Sequence, residues 1–399
     1  MRILKVAQTY YPYVAEGGRP AKVRAIARLL ARRGNDITVL TAELNTGLEA
    51  SKLVSAERYP WGWRTEDDGT ETIYLLSRFR FRRLTLNPGV VSFCVQRLRE
   101  FDIVHVYGLY DLLGPTVAYF CRRWSIPYVI EPMGMFRPID RSFRLKHFWH
   151  MTLGGGYGRN ASRIIATSEL EQRELLEDGF PPQKVLLRYN GIDLEDLAKL
   201  PTRGEFRMKW GIDSEEFLIL FLGRLIPRKG ADMLIESFRE ACPVSGILVI
   251  AGPEGEPGYL KLLRNQVRQL GLGTRILFTG PLYDDEKKAA LADADLFVLP
   301  SKYENFANAA AEAIACQVPV IVTDSCGISS LVDQRAGIVV PVDRQALTKA
   351  LAELIGNRPL YERLRSGCKD VARSISWSRL TELMEQYYAE ILTEKNGVH

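Results

Sequence analysis

The chain has 399 residues, of which 46% are apolar and 25% charged, and its formal net charge at pH 7 is +5. This length predicts two domains of roughly 200 residues each, and the composition is typical of a soluble globular enzyme. The chain contains no run of ~18 apolar residues that would span a bilayer. Its start, MRILKVAQTYYPYV, has neither a long apolar stretch nor a small-residue cleavage site, so no secretory signal is expected. We therefore expect a cytoplasmic protein.

Short apolar, β-branched runs recur along the chain, each followed by a helical pattern. In the first half they are ILKVAQ, DITVLT, TIYLLS, DIVHVY, PYVIE, RIIATS and KVLLRYN. In the second half they are FLILFLG, ILVIAG, RILFTG, DLFVLP, VPVIVT and GIVVP. Strands buried on both faces of a parallel sheet have this pattern, so the two series predict two doubly wound α/β domains. Glycine and proline interrupt the pattern between residues 190 and 206, which places a domain boundary near residue 190.

The positive charge is concentrated in the first half of the chain. Residues 1–190 contain 28 Lys+Arg and 19 Asp+Glu, a net +9, and the remainder contains 25 and 29, a net −4. Two basic stretches, RFRFRR at 78–83 and RPIDRSFRLKH at 137–147, carry much of this excess. They form either a solvated surface or a face for phosphates or an anionic membrane leaflet. Nucleic acid is disfavoured, because no recognition motif accompanies the charge.

The cysteine and histidine content argues against disulfides and metal sites. The six cysteines, at positions 94, 121, 242, 316, 326 and 368, lie far apart and form no CxxC pair. They are typical of reduced, mostly buried thiols. The chain has four histidines, one of them the last residue, which disfavours a zinc site. His105 lies on a predicted buried strand, where a core role is favoured over a site role.

The loops that follow the predicted strands are the candidate ligand sites, because ligands bind beyond the carboxyl ends of parallel strands. After the first strand, Gly17 and Gly18 precede a helix that starts near Pro20. After FLILFL, Gly223 is followed by Arg224, Arg228 and Lys229 just before a helix opening at about Gly230, an arrangement that suits a diphosphate. The loop AGPEGEPGY at 251–259 either shapes the site or is a plain turn.

A fourth loop carries two carboxylates. Pro300 ends DLFVLP, Glu304 lies in the loop, and Asn305 can cap the helix FANAAAEAIAC. Glu312 falls among alanines in a run typical of a buried helix, where a carboxylate needs hydrogen-bond partners. Eight residues correspond to about 800° of helix rotation, so the two acids would contact different parts of one long ligand. Vicinal diols suit a carboxylate acceptor.

The order and spacing of several motifs carry a family resemblance over nearly the whole chain. They are EGGR at 16–19, TSELEQ, NGID at the domain junction, GRLIPRKG, AGPEG, ADLFVLPS, the pair of glutamates with seven residues between them, and SWSRL near the end. In these features the chain resembles the retaining GT-B glycosyltransferases of family 4 (group 1), which transfer a sugar from a nucleotide diphosphate donor. The resemblance implies two Rossmann-like domains that face each other across a cleft, residues 1–190 and 191–375, with helix 376–395 packed back on the first.

The resemblance also implies roles for individual residues. Arg224 and Lys229 would hold the donor diphosphate and, with Glu304, form the catalytic set. Glu304 and the backbone amides of Asn305 and Phe306 would contact the transferred sugar.

The resemblance implies two further donor contacts and a reaction without a metal or other cofactor. Glu312 would bind the ribose diol, and Gly18 would lie near the diphosphate or acceptor. No metal or other cofactor is expected, since cations and helix ends would neutralise the departing phosphate.

The chain departs from the family pattern in the loop EPMGMF. Many relatives have a histidine before this glycine, where it bonds the donor sugar, and here Met133 occupies that place. The contact is then lost or supplied elsewhere, and Glu131, Met133 itself and Gly134 are the candidates for a sugar or acceptor contact. Ala307 and Gln317 likewise stand where glycines are frequent around the acidic motif.

The predicted function is a cytoplasmic, retaining transferase that moves a sugar to a glycan or lipid-linked acceptor in cell-surface polysaccharide or glycolipid synthesis. Its basic half would contact an anionic membrane at the inner face. A non-catalytic GT-B subunit that binds a nucleotide or a partner protein stays open as the alternative. A nucleotide-sugar epimerase is less favoured, and a dehydrogenase is disfavoured by the absence of GxGxxG.

Overall fold

A computed structural model describes residues 1–13, 18–44, 57–81, 84–137, 155–197, 200–242 and 246–396. The chain divides into two compact units. The N-terminal unit comprises Met1–Tyr189 together with Trp377–His399, and the C-terminal unit comprises Asn190–Ser376. Each unit is built on its own sheet, with helices connecting the parallel strands.

The N-terminal unit contains a nine-stranded sheet with the order β11-β10-β9-β8-β1-β2-β5-β4-β3. The seven strands from β11 to β5 pair in parallel, and β4 and β3 continue the sheet antiparallel at one edge. A separate hairpin is formed by β6 and β7. The strands are β1 (Arg2–Ala7), β2 (Asp36–Ala42), β3 (Glu57–Tyr59), β4 (Gly62–Asp67), β5 (Thr70–Leu75), β6 (Phe79–Phe81), β7 (Leu84–Leu86), β8 (Ile103–Tyr107), β9 (Tyr128–Glu131), β10 (Arg163–Ala166) and β11 (Val185–Leu187).

Helices connect these strands, and the last helix of the chain belongs to the same unit. That last helix packs against the first one, where Arg33 forms ion pairs with Glu382 and Glu385. The described helices are α1 (Gly18–Arg32), α2 (Gly89–Arg97), α3 (Leu113–Arg123), α4 (Gly155–Arg159), α5 (Glu169–Glu177) and, at the end of the chain, Trp377–Asn396, with 3-10 turns at Leu98–Glu100 and Pro182–Lys184.

The C-terminal unit contains a six-stranded, fully parallel sheet with the order β14-β13-β12-β15-β16-β17. Its central strands are buried on both faces, as their uninterrupted apolar sequences predict. The strands are β12 (Leu218–Leu222), β13 (Ile247–Ala251), β14 (Ile276–Gly280), β15 (Leu296–Leu299), β16 (Val320–Thr323) and β17 (Gly337–Val340). The helices are α6 (Leu194–Leu197), α7 (Glu205–Trp210), α8 (Ala231–Ala241), α9 (Tyr259–Gln269), α10 (Asp284–Asp293), α11 (Asn308–Ala315), α12 (Ser329–Val332), α13 (Arg344–Gly356) and α14 (Arg358–Ser374), with a 3-10 turn at Pro227–Lys229.

All thirteen apolar runs chosen from the sequence form strands, which confirms two α/β units with parallel sheets. Four strands were not predicted: β3, β4, β6 and β7. They are short or polar and lie at the sheet edge or in the separate hairpin, so they lack the continuous apolar run of a doubly buried strand. No helix in the described part of the chain has both the length and the apolar content needed to cross a bilayer.

Candidate active site

The order of the C-terminal sheet creates a topological switch point between β12 and β15. The chain leaves β12 toward β13 on one side, and β15 pairs with β12 on the other. In open parallel sheets a ligand binds at such a point, beyond the carboxyl ends of the two strands. The loops found there are 223–230 after β12 and 300–307 after β15. They are the two loops that the sequence analysis associates with a diphosphate and a sugar.

An ion pair joins these two loops. The ammonium group of Lys229 pairs with a carboxylate oxygen of Glu304, 75 residues away along the chain. The side chain of Lys229 is 12% exposed and that of Glu304 is 24% exposed, so both reach solvent from a largely enclosed position. Arg224, at the start of the first loop, is exposed. The three residues of the predicted catalytic set therefore lie at the same edge of one sheet.

Backbone contacts hold the two loops together. The carbonyl oxygen of Arg228 accepts hydrogen bonds from the amide of Lys302 at 2.8 Å and the hydroxyl of Ser301 at 3.3 Å. Gly230 has φ +73°, and a Cβ built on it would lie 2.2 Å from the carbonyl oxygen of Pro300. A side chain at this position would separate the loops, so glycine is required by both conformation and space.

The loop after β13 packs against the loop after β12. The amide of Leu225 donates to Pro253 O at 2.9 Å, and the amide of Gly255 donates to Leu225 O at 3.1 Å. Gly252, with φ +153°, would place a Cβ 1.8 Å from Gly223 O. The glycines of the AGPEG segment thus allow a close backbone approach beside Arg224, which favours the site-shaping interpretation over that of a plain turn.

The acidic loop differs from the sequence prediction at the start of its helix. Asn305 does not cap the helix: α11 begins at Asn308, and the preceding residue is Ala307, with no side-chain cap. Ala307 adopts a left-handed conformation with φ +79°, and Gln317 after the helix has φ +58°. These are the two positions where relatives often have glycine, which has no Cβ to strain in this region.

The backbone of Glu304 is fixed by a third loop. Its amide donates to Ser325 O at 3.0 Å, and its carbonyl accepts from Gly327 N at 2.8 Å. Asn190, in the NGID motif, donates from its side chain to Asn308 Oδ1 at 3.3 Å. The junction motif therefore supports the start of α11 within the same unit. The sequence alone predicts a domain boundary at NGID but does not reveal this contact.

The alanine-rich surroundings of Glu312 predict a buried carboxylate, and this prediction is wrong. Glu312 lies on α11 but is partly exposed. Its side chain is 28% exposed and pairs with Lys287 of α10, at 2.9 Å between Nζ and Oε1. The alanines around it pack inward, while the longer glutamate reaches the surface. Lys287 was not singled out from the sequence, and no local pattern connects two residues 25 positions apart. The ammonium group of Lys287 is therefore a cation beside Glu312, the acid expected to bind the ribose.

The N-terminal unit presents a second set of candidates at the carboxyl end of its own sheet. Gly18 is the first residue of α1, while Glu16 and Gly17 of the EGGR motif lie outside the described residues. Arg19 lies beside Gly108, which follows β8, and its guanidinium is 3.6 Å from the sulfur of Met135. A cation in the first turn is disfavoured by the helix dipole. Arg19 and the helix terminus together would suit an anionic group.

The EPMG loop forms a tight turn after β9. Met133 and Gly134 both have positive φ, +56° and +72°. The amide of Gly134 donates to Glu171 Oε1 at 2.5 Å, and the other carboxylate oxygen of Glu171 accepts from the amide and hydroxyl of Thr167. Ser168 caps α5 by accepting from Glu171 N. The TSELEQ motif thus holds the turn in which Met133 replaces the histidine of relatives, and Met133 itself is half-buried.

Glu131 is enclosed within the N-terminal unit. It has no exposed surface and pairs with Lys22 and with Arg188, the latter at 2.5 Å between Nη2 and Oε2. His105 faces the same carboxylate at 3.4 Å and Tyr388 of the last helix at 2.5 Å. Because every side chain of this cluster is buried, we do not propose Glu131 as a sugar ligand. The core role that the sequence favours for His105 is confirmed.

Burial shifts the protonation of this cluster. Lys5 belongs to the same cluster, because its ammonium group donates to the Tyr388 hydroxyl at 3.4 Å. Burial lowers the pKa of Lys5 to about 7, assisted by the charge of Arg188. Burial also lowers the pKa of His105 to about 3, so the imidazole is neutral. Burial lowers the pKa of Lys22 to about 8, against the attraction of Glu131. Burial alone would raise the pKa of Glu131, but Arg188 and Lys22 outweigh it and hold that pKa well below its usual range. The cluster is therefore an ionic core that connects strands, α1 and the last helix.

The described residues contain neither a metal-ligand group nor a disulfide bond. No group of three or more His, Cys, Asp or Glu side chains in them could hold a metal ion. The six cysteines are free, and all but Cys316 are buried.

Comparisons with known proteins assign the family. Residues 202–370 match the family model described as glycosyl transferases group 1, and residues 21–196 match glycosyltransferase family 4. The chain is 30% identical over 403 residues to the D-inositol 3-phosphate glycosyltransferase of Jonesia denitrificans, covering 93% of this chain and 91% of the relative. The chain belongs to the group 1 GT-B glycosyltransferases.

Two further similarities agree with this assignment. This glycosyltransferase is 28% identical over 375 residues to a GDP-mannose-dependent alpha-mannosyltransferase of Mycobacterium tuberculosis, with 90% of each chain covered. Its fold is similar to that of Anabaena HepE, solved in complex with UDP and glucose, with a TM-score of 0.72 at 21% identity over 98% of this chain and all of that one. The family prediction and the GT-B fold prediction are confirmed.

Proposed function

We propose that this glycosyltransferase moves a hexosyl group from a nucleotide diphosphate sugar to a glycan or lipid-linked acceptor, with retention of anomeric configuration. The observation that carries the proposal is the Lys229–Glu304 pair at the switch point of the C-terminal sheet. A cation and a hydroxyl-binding acid on two loops held at fixed spacing match the diphosphate and the sugar of such a donor. The complexes named for Anabaena HepE support a donor of this class.

Each candidate side chain is assigned a role in the transfer step. Lys229 and Arg224 would neutralise the charge that builds on the departing diphosphate, and a single preorganised donor of this kind is often worth about 3 kcal/mol. Glu304 would accept hydrogen bonds from sugar hydroxyls, with the amides of Asn305 and Phe306 beside it. Glu312 would bind the ribose diol, with Lys287 setting its orientation.

Retention follows from the proposed chemistry rather than from a protein nucleophile. In a front-face reaction the departing phosphate takes the acceptor proton, so neither a second carboxylate close to the anomeric carbon nor a metal is required. This differs from the paired carboxylates of retaining hydrolases. The acceptor would bind the N-terminal unit, where Arg19, Gly18 and the turn at Met133 and Gly134 lie at the carboxyl edge of the sheet. The product would enter cell-surface polysaccharide or glycolipid synthesis.

Donor binding and turnover, measured separately, test these roles. Thermal-shift titrations with uridine and guanosine diphosphates and their sugars identify the donor, because a ligand bound to the folded state at a hundredfold excess over Kd adds about 2.7 kcal/mol to stability. Lys229→Met and Glu312→Gln should then weaken donor binding, while Glu304→Gln should mainly lower turnover. Lys302→Met, an exposed lysine of the same loop, is the matched control. Wild-type binding and turnover in all three site variants would contradict the assignment.

One observation keeps the alternative function in the test. Met133 occupies a left-handed position in place of the usual histidine, so a sugar contact is missing at that point. A non-catalytic GT-B subunit would bind the nucleotide without transfer or hydrolysis for any donor and acceptor pair. Turnover that is lost in Glu304→Gln but is measurable in the wild type would exclude this alternative. Turnover that persists in EDTA would support the metal-independent step.

A further inference from the structure

Residues 72–99 of the N-terminal unit combine arginines with exposed apolar side chains. This span of 28 residues contains six arginines and no Asp or Glu. Two of the arginines, Arg82 and Arg83, lie outside the described residues. Of the eleven large hydrophobic side chains that are exposed in the described chain, five fall between Leu76 and Val95. Apolar exposure concentrated in this way marks an interaction surface.

The β6–β7 hairpin has one anchored face and one free face. On the anchored face, Thr85 is buried and bonds to Asn87 and to Gln8, which follows β1, while Arg80 donates to Leu44 O. On the opposite face Phe79 and Leu86 are directly cross-strand neighbours and are 62% and 47% exposed. The hairpin is therefore held firmly and presents an apolar pair to solvent.

The helix that follows the hairpin also exposes apolar side chains. α2 begins three residues after Leu86, so the hairpin and the helix are adjacent. Its inward side buries Val90, Phe93 and Cys94. Val91 and Val95, one turn apart, are 47% and 57% exposed. A helix stripe of this kind gains no burial within the unit.

We propose that Phe79, Leu86, Val91 and Val95, here called the hairpin–helix face, dock onto an anionic lipid bilayer. The apolar side chains would enter the boundary between headgroups and acyl chains, while Arg78, exposed beside Phe79, would meet the lipid phosphates.

Charge selects a bilayer over a second copy of the chain. Arg97 pairs with Glu71 and Glu100, which flank the span, so it adds no net charge there. The remaining excess of arginine complements anionic lipid, whereas two copies would bring like charges together. The N-terminal half also carries the net positive charge of the chain, +9 in residues 1–190. β5 runs parallel to β2 and β1, so the hairpin after it lies at the carboxyl edge of the sheet. Docking there would bring the membrane to the edge where the acceptor is proposed to bind.

The proposal rests on the proposed function only in the purpose that it gives to membrane docking, which is to reach a lipid-linked acceptor. Vesicle binding is measured without donor or acceptor, so a negative result leaves the transferase proposal intact. Loss of transferase activity, in turn, does not affect the binding measurement.

The experiment is co-sedimentation of the full-length protein with vesicles of phosphatidylglycerol and phosphatidylcholine, and with phosphatidylcholine alone. We expect binding to the anionic vesicles that falls steeply with added salt. Phe79→Ser/Leu86→Ser should weaken binding at least about tenfold. The matched control is Met208→Ser/Tyr283→Ser, which removes two exposed apolar side chains, 80% and 66% exposed, from the C-terminal unit.

A second pair of variants tests the charge. Arg78→Glu changes the charge by two units at the proposed contact and should weaken binding about 30-fold, at roughly 1 kcal/mol per basic residue. Arg268→Glu makes the same change on the exposed side of α9 and should bind nearly as the wild type does.

Three outcomes would overturn the proposal. One is failure of the wild type to bind anionic vesicles at low salt. Another is equal binding by each variant and its control. The third is a wild-type dimer that Phe79→Ser/Leu86→Ser dissociates without any vesicle binding, which would make the face an interface between copies.

Discussion

Gly230 provides a direct test of how the two site loops are held together. It is the left-handed residue before α8, with φ +73°. An alanine there would incur about 1–2 kcal/mol for the left-handed conformation. Its Cβ would also lie 2.2 Å from Pro300 O and 3.1 Å from Pro300 C, and overpacking of this kind costs about 1–3 kcal/mol. We expect Gly230→Ala to lower the free energy of unfolding of the C-terminal unit by about 2–5 kcal/mol.

Gly258 is the matched control for this substitution. It also precedes a helix, α9, in a left-handed conformation, with φ +86°, but nothing lies within 4 Å of a Cβ built on it. Gly258→Ala should therefore incur only the conformational part, about 1–2 kcal/mol. The difference between the two variants isolates the contact between the loops.

Urea unfolding of the full-length protein measures both free energies, and hydrogen exchange in peptides from β12 and β15 assigns the transition to the C-terminal unit. Gly230→Ala should also weaken nucleoside diphosphate binding, because the backbone bond between Lys302 and Arg228 and the pair between Lys229 and Glu304 both depend on this spacing. Equal destabilisation of the two alanine variants would refute the argument. Unchanged diphosphate affinity in Gly230→Ala would refute its link to the site.

Three further predictions concern local strain, the ionic core and pH. Gln317 has φ +58° at the end of α11, so Gln317→Gly should raise the free energy of unfolding by about 1 kcal/mol. Gly271 occupies the equivalent position after α9, with φ +69°, so Gly271→Gln should lower that free energy by a similar amount. Urea titrations measure both changes. The same sign in both would contradict this reasoning. Tyr388→Phe should lower the free energy of unfolding by about 1–3 kcal/mol, because it leaves buried partners unbonded. Tyr387→Phe should lower it less, because the half-buried hydroxyl of Tyr387 bonds a single carbonyl. Equal losses of stability would show that the cluster is not stabilising. Burial lowers the pKa of Lys5 to about 7 from 10.5 in the unfolded chain, so between these values the unfolded chain holds a proton that the folded chain lacks. The free energy of unfolding should therefore rise by at most about 1.4 kcal/mol per pH unit from about pH 7 to 10, relative to that of Lys5→Met. A constant difference in unfolding free energy between the two proteins over that range would refute the pKa shift.

Several features of the site were accessible from the sequence because they depend on chain order alone. Gly223 to Gly230 follow an apolar strand directly, and so does Pro300 with Glu304 after it. A loop that follows a buried parallel strand must lie at the carboxyl edge of the sheet. Ala307 and Gln317 stand where the family resemblance implies glycine, and both adopt the left-handed conformation that glycine occupies without strain.

Other features required the folded chain. The sequence predicted a buried Glu312 and a cap at Asn305, and both predictions are wrong, because the start of α11 is set by Ala307 and the glutamate reaches the surface toward Lys287. The enclosure of Glu131 likewise follows from side chains that come from distant strands and helices.

The sequence by itself determined the two α/β units, their buried strands and the loops that carry charge, because strand burial and the strand–loop–helix order are written in the local pattern of residues. Only the tertiary structure decided which charges meet: Lys229 with Glu304, Lys287 with Glu312, and Lys22 and Arg188 with Glu131. An ion pair forms between side chains that the fold brings within a few ångströms, and partners 25 to 109 positions apart share no local pattern that could reveal them.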